Sequence, residues 1–289
     1  MGTPQTDRAP RARHGRAEGS HDSAPCAVRL PAGSSPAGSR PPSTIRRLES
    51  PAFDRAIAPA NALRVLHADD ALIVVDKPAG LLCVPGRGPQ GAVCLARRVQ
   101  ACWPDALVVH RLDMATSGLV AFARGEAAQR RLGMAFAARA VDKRYVADVA
   151  GLPAAPGGAG DGGWAEIALP LAADWPRRPR QRLAPEGGKP SLTRWRVLAH
   201  DAATATTRLE LRPVTGRTHQ LRVHLLALGH PIVGDALYGP SAQAVEVSAG
   251  AACATGATPL PRLWLHATRL AFAHPAGGEP VAFASDAPF

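Results

Sequence analysis

A single carboxylate, Asp113, stands in the run HRLDMATSG, two residues after Arg111 and just before the small polar stretch Ala115-Thr116-Ser117. An acid in basic surroundings can serve as a nucleophile, a base or a fixed negative charge, provided that it stays ionised; burial alone would raise its pKa. A second run, GRTHQLRVH, brings Arg217, His219 and His224 together about a hundred residues further on. Taken alone, an aspartate after a strand is a turn former or helix cap more often than a catalyst. The combination of the two runs is what gives Asp113 chemical interest.

Several other chemistries lack their residues. The loop GRGPQG is not followed by the Lys-Ser/Thr of a Walker phosphate cradle, and no H-x-E with C-x-x-C is present to hold a deaminase zinc. His219 and His224 are five apart rather than four, with Gln220 where a zinc protease has its glutamate, so helix packing or RNA contact is the better reading of the pair. Ser117 precedes Gly118 without the G-x-S-x-G frame of a serine nucleophile and reads as a turn residue. Cys26, Cys83, Cys94, Cys102 and Cys253 are odd in number and widely spaced, which argues against both a disulfide framework and a zinc knuckle.

These residues need elements to hold them. LRVLHADDALIVVDKPAG reads as a hairpin around Asp69-Asp70. GAVCLARRVQACW has near-helical apolar spacing at Val93, Leu95, Ala96, Val99 and Cys102, and Trp103-Pro104 stops it. LVVHRLD and GLVAFAR read as strands on either side of Asp113, so the carboxylate is expected at a strand end. GEAAQRRLGMAFAAR reads as a helix, KRYVADVAG as a strand, and WAEIALPL, PSLTRWRVL and TTRLELRPV as further strands. THQLRVHLLALG is the clearest helix, with Thr218 as its expected N-cap and Gly229 as its stop. LWLHATRLAFAHP and EPVAFAS complete a sheet after a small-residue insertion at 240 to 260. Strands outnumber helices and seldom alternate with them, which gives an α+β fold with a central mixed, mostly antiparallel sheet and flanking helices.

Residues 1 to 60 are rich in Pro, Arg, Ser, Gly and Ala with no sustained period, and are expected to be a disordered basic tail; residues 61 to 289 form one domain. The whole chain of 289 residues carries a formal net charge of +11, and its only lysines are Lys77, Lys143 and Lys189. Arginine offers a planar fork for phosphate and a face for stacking on bases. The arginine excess therefore favours an anionic partner, and it extends beyond the tail. No apolar run approaches a membrane span and no signal-peptide centre is present, so no membrane role and a cytoplasmic location are expected.

HRLDMATSG, DKPAGLLCVPGRG, KRYVA and GRTHQLRVHLLALGHPIVGD, in that order from about residue 63 onward, resemble the RluA family of RNA pseudouridine synthases. ADWPRRPRQRL followed by Gly188-Lys189-Pro190 resembles the member that acts on both 23S ribosomal RNA and a tRNA anticodon loop. The resemblance implies the pseudouridine synthase catalytic fold, with no S4 RNA-binding domain ahead of it. It also implies an isomerase that detaches uracil from ribose and rejoins it through carbon, with no cofactor, no metal and no protein partner, working as a monomer on rRNA or tRNA stem-loops. Asp113 would be the essential carboxylate, whether it attacks sugar or base or removes a sugar proton. Arg217 would pair with it and keep it ionised. Tyr145 would stack on the flipped uracil and help to move its C5 proton. Arg111 would fill the space that the base leaves. Trp175 among Arg177, Arg178, Arg180 and Arg182 mixes an aromatic face with dense positive charge and is expected to bind the RNA loop, with Arg130, Arg131, Arg139, Lys143 and Arg144 extending a basic track toward Tyr145. Intact Asp113, Tyr145 and Arg217 argue against a catalytically silent RNA-binding or ribosome-assembly factor on the same scaffold. The lack of a second acid beside Asp113 argues against a carboxylate-dependent hydrolase.

Overall fold

The computed structural model describes residues 46–47, 63–154, 163–239 and 262–289. The expected tail, apart from Arg46 and Arg47, lies outside the described residues, as do the place of any S4 domain and the 240–260 insertion.

The described strands are β1 (Arg46–Arg47), β2 (Arg64–Ala68), β3 (Leu72–Lys77), β4 (Ala106–Val108), β5 (Ser117–Arg124), β6 (Asp142–Ala150), β7 (Ala165–Ala168), β8 (Leu171–Ala173), β9 (Gln181–Leu183), β10 (Leu192–Asp201), β11 (Thr206–Pro213), β12 (Leu265–Ala273) and β13 (Pro280–Ala284). The α-helices among the described residues are α1 (Leu95–Cys102), α2 (Gly125–Ala137) and α3 (Gln220–Ala227). The main sheet runs β2-β3-β5-β12-β6-β11-β10-β7, with β4 beside β5, β13 beside β12 and β1 beside β13; β8 and β9 form a separate hairpin. Only β5–β12 and β1–β13 pair in parallel. The sheet is therefore mixed and mostly antiparallel, as the run of strands implied.

At the β3–β5 half the sheet is covered on both faces. Ile73, Val75, Val120 and Phe122 pack with Leu95 and Val99 of α1 on one side, while Leu72, Val74, Leu119 and Ala121 pack with Ala128 and Leu132 of α2 on the other. That explains why β3 and β5 read as continuous apolar runs rather than alternating ones. Each fully buried leucine among them contributes about 1.5–3 kcal/mol of apolar transfer. In the other half, Leu221 and Leu225 of α3 pack on Ala147, Val149, Leu209 and Leu211. Val93 and Cys102, read as part of the apolar stripe of α1, are exposed, because the helix begins only at Leu95 and ends at Cys102.

Four local readings are corrected. LVVHRLD is strand only as far as Val108, so Asp113 lies within the loop between β4 and β5 and not at a strand end. The N-cap of α3 is His219, in a left-handed conformation at φ 53°, and not Thr218. WAEIALPL splits into β7 and β8 around Leu169-Pro170. Ser117 is no turn residue: it opens β5, is 2% exposed, and its Oγ lies 2.8 Å from His266 Nδ1 while accepting from Arg262 at 2.7 Å.

The parallel junction between β5 and β12 sets the geometry of everything that follows. Gly118 pairs with Ala267 at φ 112°, and a Cβ there would come within 2.4 Å of the Ala267 carbonyl oxygen. Only glycine lets the two backbones approach this closely. Ala267 in turn faces Tyr145, and Tyr145 faces Leu211, so Gly118, Ala267, Tyr145 and Leu211 form one rung across β5, β12, β6 and β11.

A cleft with one acid

That rung brings together two loops that are a hundred residues apart. β5 is entered from the Asp113 loop, and β11 leaves through Pro213 into the Gly216-Arg217 turn. With neighbouring strands about 4.8 Å apart, Tyr145 stands between them. The result is a cleft of about 500 Å³ lined by Arg111, Asp113, Tyr145 and Arg217, and also by Thr116, Phe136, Arg139, Lys143, His219 and Arg222. Among its described lining residues Asp113 is the sole acid, against five lysine or arginine side chains. A volume of this order holds a nucleotide-sized ligand.

The Asp113 loop is braced from several directions. The Thr116 N–H donates to the Asp113 carbonyl at 3.2 Å, and the Gly80 N–H donates to the Met114 carbonyl at 2.9 Å. Lys77, fully buried, donates from Nζ to the carbonyls of Pro78 (2.9 Å), Leu81 (2.8 Å) and Met114 (3.0 Å). Burial lowers the Lys77 pKa to about 8, while the negative charges of Asp113 and Asp76 work the other way. His110, stacked on Phe136 at 4.7 Å, accepts the Ala121 N–H on Nε2 at 2.9 Å. Desolvation, with the Lys143 charge added, drops its pKa to about 3, so it holds the loop to β5 as a neutral ring.

The opposite wall is built from α3 and the turn before it. Gln220 satisfies its whole amide: Oε1 accepts from Thr215 Oγ1 (2.7 Å) and the Arg217 N–H (3.0 Å), and Nε2 donates to Leu192 O (3.0 Å) and Thr193 Oγ1 (2.9 Å). Arg222 makes a buried two-pronged ion pair with Asp235 at 2.7 and 2.6 Å. Its pKa is pulled down by desolvation but raised overall by Asp235, with Asp113 adding to the rise. The two histidines of the HQLRVH run have separate tasks. His224 is buried between Thr193 Oγ1 and Leu169 O, both at 2.9 Å, which is a packing role. His219 faces the cleft with Nδ1 2.7 Å from Tyr238 Oη, and that oxygen accepts the Gln181 N–H at 2.7 Å. Tyr238 Oη thus joins the hairpin backbone to the His219 ring.

Asp113 and Arg217 share the cleft, but no ion pair within 4.0 Å joins them. Arg217 is exposed, and its Nε reaches the Pro190 carbonyl at 3.4 Å. The cations whose titration feels Asp113 are Lys77 and Arg222, both buried. Local sequence gives no sign of this pair: Lys77 lies in the DKPAG motif without an evident role, and nothing in the local pattern says that its amine turns inward. Tyr145 is held protonated, because burial, then the Asp113 charge, push its phenol far above the ordinary value. With its proton on, it offers the cleft a hydrogen-bond donor and an aromatic face. Arg111 is exposed at the rim.

The expected basic track divides. Arg139 and Lys143 line the cleft, whereas Arg144 is tied to Asp142 (3.3 Å) and Glu210 (3.0 Å), Arg131 donates to the Pro275 carbonyl, and Arg130 borders a second depression beside β4. The segment with Trp175, Arg177, Arg178, Arg180 and Arg182 forms the tip and return strand of the β8–β9 hairpin rather than the cleft wall. Trp175 is 66% exposed with the Arg178 guanidinium 3.5 Å from its ring centre, and Arg177 pairs with buried Asp174 at 2.9 Å. Two hydrogen bonds, Gln181 to Tyr238 and Tyr238 to His219, connect this hairpin to the cleft.

Comparison with known proteins agrees with this arrangement. A family model described as RNA pseudouridylate synthase matches residues 71–227. The dual-specificity RNA pseudouridine synthase RluA of Escherichia coli K12 is 45% identical over 78% of this chain and 94% of its own length. The RluA of Yersinia pestis is 43% identical over 78% of this chain and 99% of its own. Among solved structures, human RNA pseudouridylate synthase domain containing 1 superposes with a TM-score of 0.60 at 28% identity, covering 79% of this chain and 84% of that one.

Proposed function

The chain belongs to the RNA pseudouridine synthase family and isomerises uridine in RNA; from that premise we propose that Asp113 is its catalytic carboxylate and that its substrates are stem-loops of ribosomal RNA, transfer RNA or both. The observation that carries the assignment of Asp113 is that it is the sole acid among the described lining residues of a cleft with five lysine or arginine side chains. A reaction that breaks and remakes one glycosidic bond without admitting water needs no second carboxylate, in contrast to hydrolytic glycosidases. Before RNA arrives, buried Lys77 braces the Asp113 loop and buried Arg222 lines the same cleft. Arg217, exposed and held by one long bond, turns from the Pro190 carbonyl to Asp113 when a flipped uridine closes the cleft to water. Charge-assisted pairing then orients the carboxylate at the ribose–uracil bond.

Tyr145 lies under the base as a neutral ring, and its protonated hydroxyl donates to the uracil as it turns. Arg111 at the rim occupies the space from which the base was drawn and offsets part of the few kcal/mol that extrusion costs. Trp175 and Arg178 offer a stacked aromatic and cationic surface to the loop bases, and Arg177, Arg180 and Arg182 surround it with positive charge. The chain acts as a monomer without a cofactor. No described helix is long and apolar enough to cross a membrane; a cytoplasmic site of action follows from the RNA substrates proposed.

The test is a map of pseudouridines in total RNA from cells carrying the wild-type gene, Asp113→Asn or no gene. Positions in ribosomal or transfer RNA loops that appear only with the wild type support the reading. A map unchanged by Asp113→Asn removes Asp113 from it.

A further inference from the structure

At the far end of β5 from the cleft, three side chains from distant parts of the sequence converge. His67 comes from β2, Asp69 from the β2–β3 turn, and His274 follows β12. His67 Nε2 and His274 Nε2 approach the same oxygen, Asp69 Oδ2, at 2.7 and 2.9 Å, and the three atoms all lie within 4.8 Å of one another. We propose that His67, Asp69 and His274 form a binding site for a first-row divalent cation of the zinc class, a clip between the first hairpin of the domain and its last.

The chemistry of the donor set supports this. Two imidazole nitrogens and one carboxylate oxygen suit zinc, cobalt or nickel and are poor ligands for calcium or magnesium. Tetrahedral bonds of about 2.0–2.1 Å place ligand atoms a little over 3 Å apart, so the two nitrogens need retreat from Oδ2 by only a few tenths of an ångström. Metal sites also depend on the groups that orient the ligands. Asp69 Oδ1 is fixed by the N–H groups of Ala71 and Leu72, both at 2.8 Å, which leaves Oδ2 turned to the histidines.

Each histidine binds as a neutral ring through Nε2, with its proton moved to Nδ1. For His274 that atom lies 3.5 Å from Glu279 Oε1, a carboxylate placed to accept it, and the 3.3 Å bond from the Ala276 N–H is given up. The Asp69 side chain is 34% exposed, so water can complete the coordination. Arg124, the last residue of β5, donates to the Asp69 carbonyl at 2.9 Å, whereas the Asp113 loop enters β5 at Ser117. Seven residue steps of strand separate the two sites by roughly 20 Å, so the metal acts on stability and not on turnover.

The experiment is a calorimetric titration of the full-length, chelator-treated protein with Zn²⁺, with thermal melts and a parallel Co²⁺ titration followed by visible absorption. His67→Phe keeps a ring against Phe283, its present neighbour at 5.4 Å, and removes one ligand; Asp69→Asn keeps an acceptor for the turn and removes the charge. The expected result is one ion per chain, a Co²⁺ spectrum of a nitrogen- and oxygen-ligated site, and a higher Tm, with affinity at least tenfold weaker in both variants while their pseudouridine formation stays at the wild-type level. No binding by the wild type, or equal binding by wild type and His67→Phe, overturns the proposal. The second outcome would place the ion on other histidines or cysteines of the chain.

Discussion

The loop that carries Asp113 and the hairpin tip that carries Trp175 are both short and both carry arginine, yet they are held in different ways. The Asp113 loop is gripped by a buried lysine, a neutral histidine, the Gly80 amide and a strand junction that admits only glycine. The tip beyond β8 is anchored at its base by Asp174 and Tyr238 and otherwise stands in solvent. The difference follows from what each must do. A carboxylate that acts on one bond gains from a fixed position, whereas an aromatic and cationic surface that meets RNA loops gains from exposed faces that can adjust.

The sharpest way to break this comparison is to change the fixed side. Asp113→Asn should remove pseudouridine formation to the limit of detection while RNA affinity, measured by filter binding, changes little. Lys77→Met leaves the buried Leu81 carbonyl without its lysine donor and should cost about 2 kcal/mol in denaturant unfolding, with turnover falling as the loop loosens. The same variant carries a pH signature. The folded pKa of Lys77 is about 8 and its ordinary value is 10.5, so between these values the unfolded chain binds the extra proton and wild-type stability rises with pH. That gain is complete above the ordinary value, is lost as pH falls through 8, and should be absent from Lys77→Met.

Changes on the exposed side should be smaller and should fall on binding. Trp175→Ala is expected to raise KM for an RNA stem-loop by about 5- to 150-fold, the range for removing one base-stacking platform, with kcat held. An equal loss in kcat would mean that the tip takes part in positioning and that the contrast is wrong. The smallest effect should come from removing Arg177, Arg178 and Arg182 one at a time. Wherever the arginine neutralises a phosphate, its removal should reduce the slope of log affinity against log salt by about 0.7; an unchanged slope excludes that arginine from the RNA interface.

The mixed sheet was legible because strand runs bounded by turn residues dominate the chain, and the helices because their apolar spacing is regular. Asp113 stood out only together with the GRTHQLRVH run and the family resemblance, because an acid after Arg111 is by itself an ordinary turn pattern. The β9 strand was not, since Gln181-Arg182-Leu183 has too few apolar residues to signal a strand and gains order from pairing with β8. Ser117 has the local pattern of a turn residue because its partners His266 and Arg262 lie nearly 150 residues away.

By itself, the sequence determined which residue types exist to do the chemistry, where the elements fall, and that the molecule favours an anionic partner. Tertiary structure alone decided which cations keep company with Asp113: Lys77 and Arg222 are buried near it, while Arg217 rests against Pro190. The physical reason is that a charge pairing depends on which groups lose water together. That is set by packing between segments far apart in the chain, as when the Lys77 amine closes on a carbonyl 37 residues away.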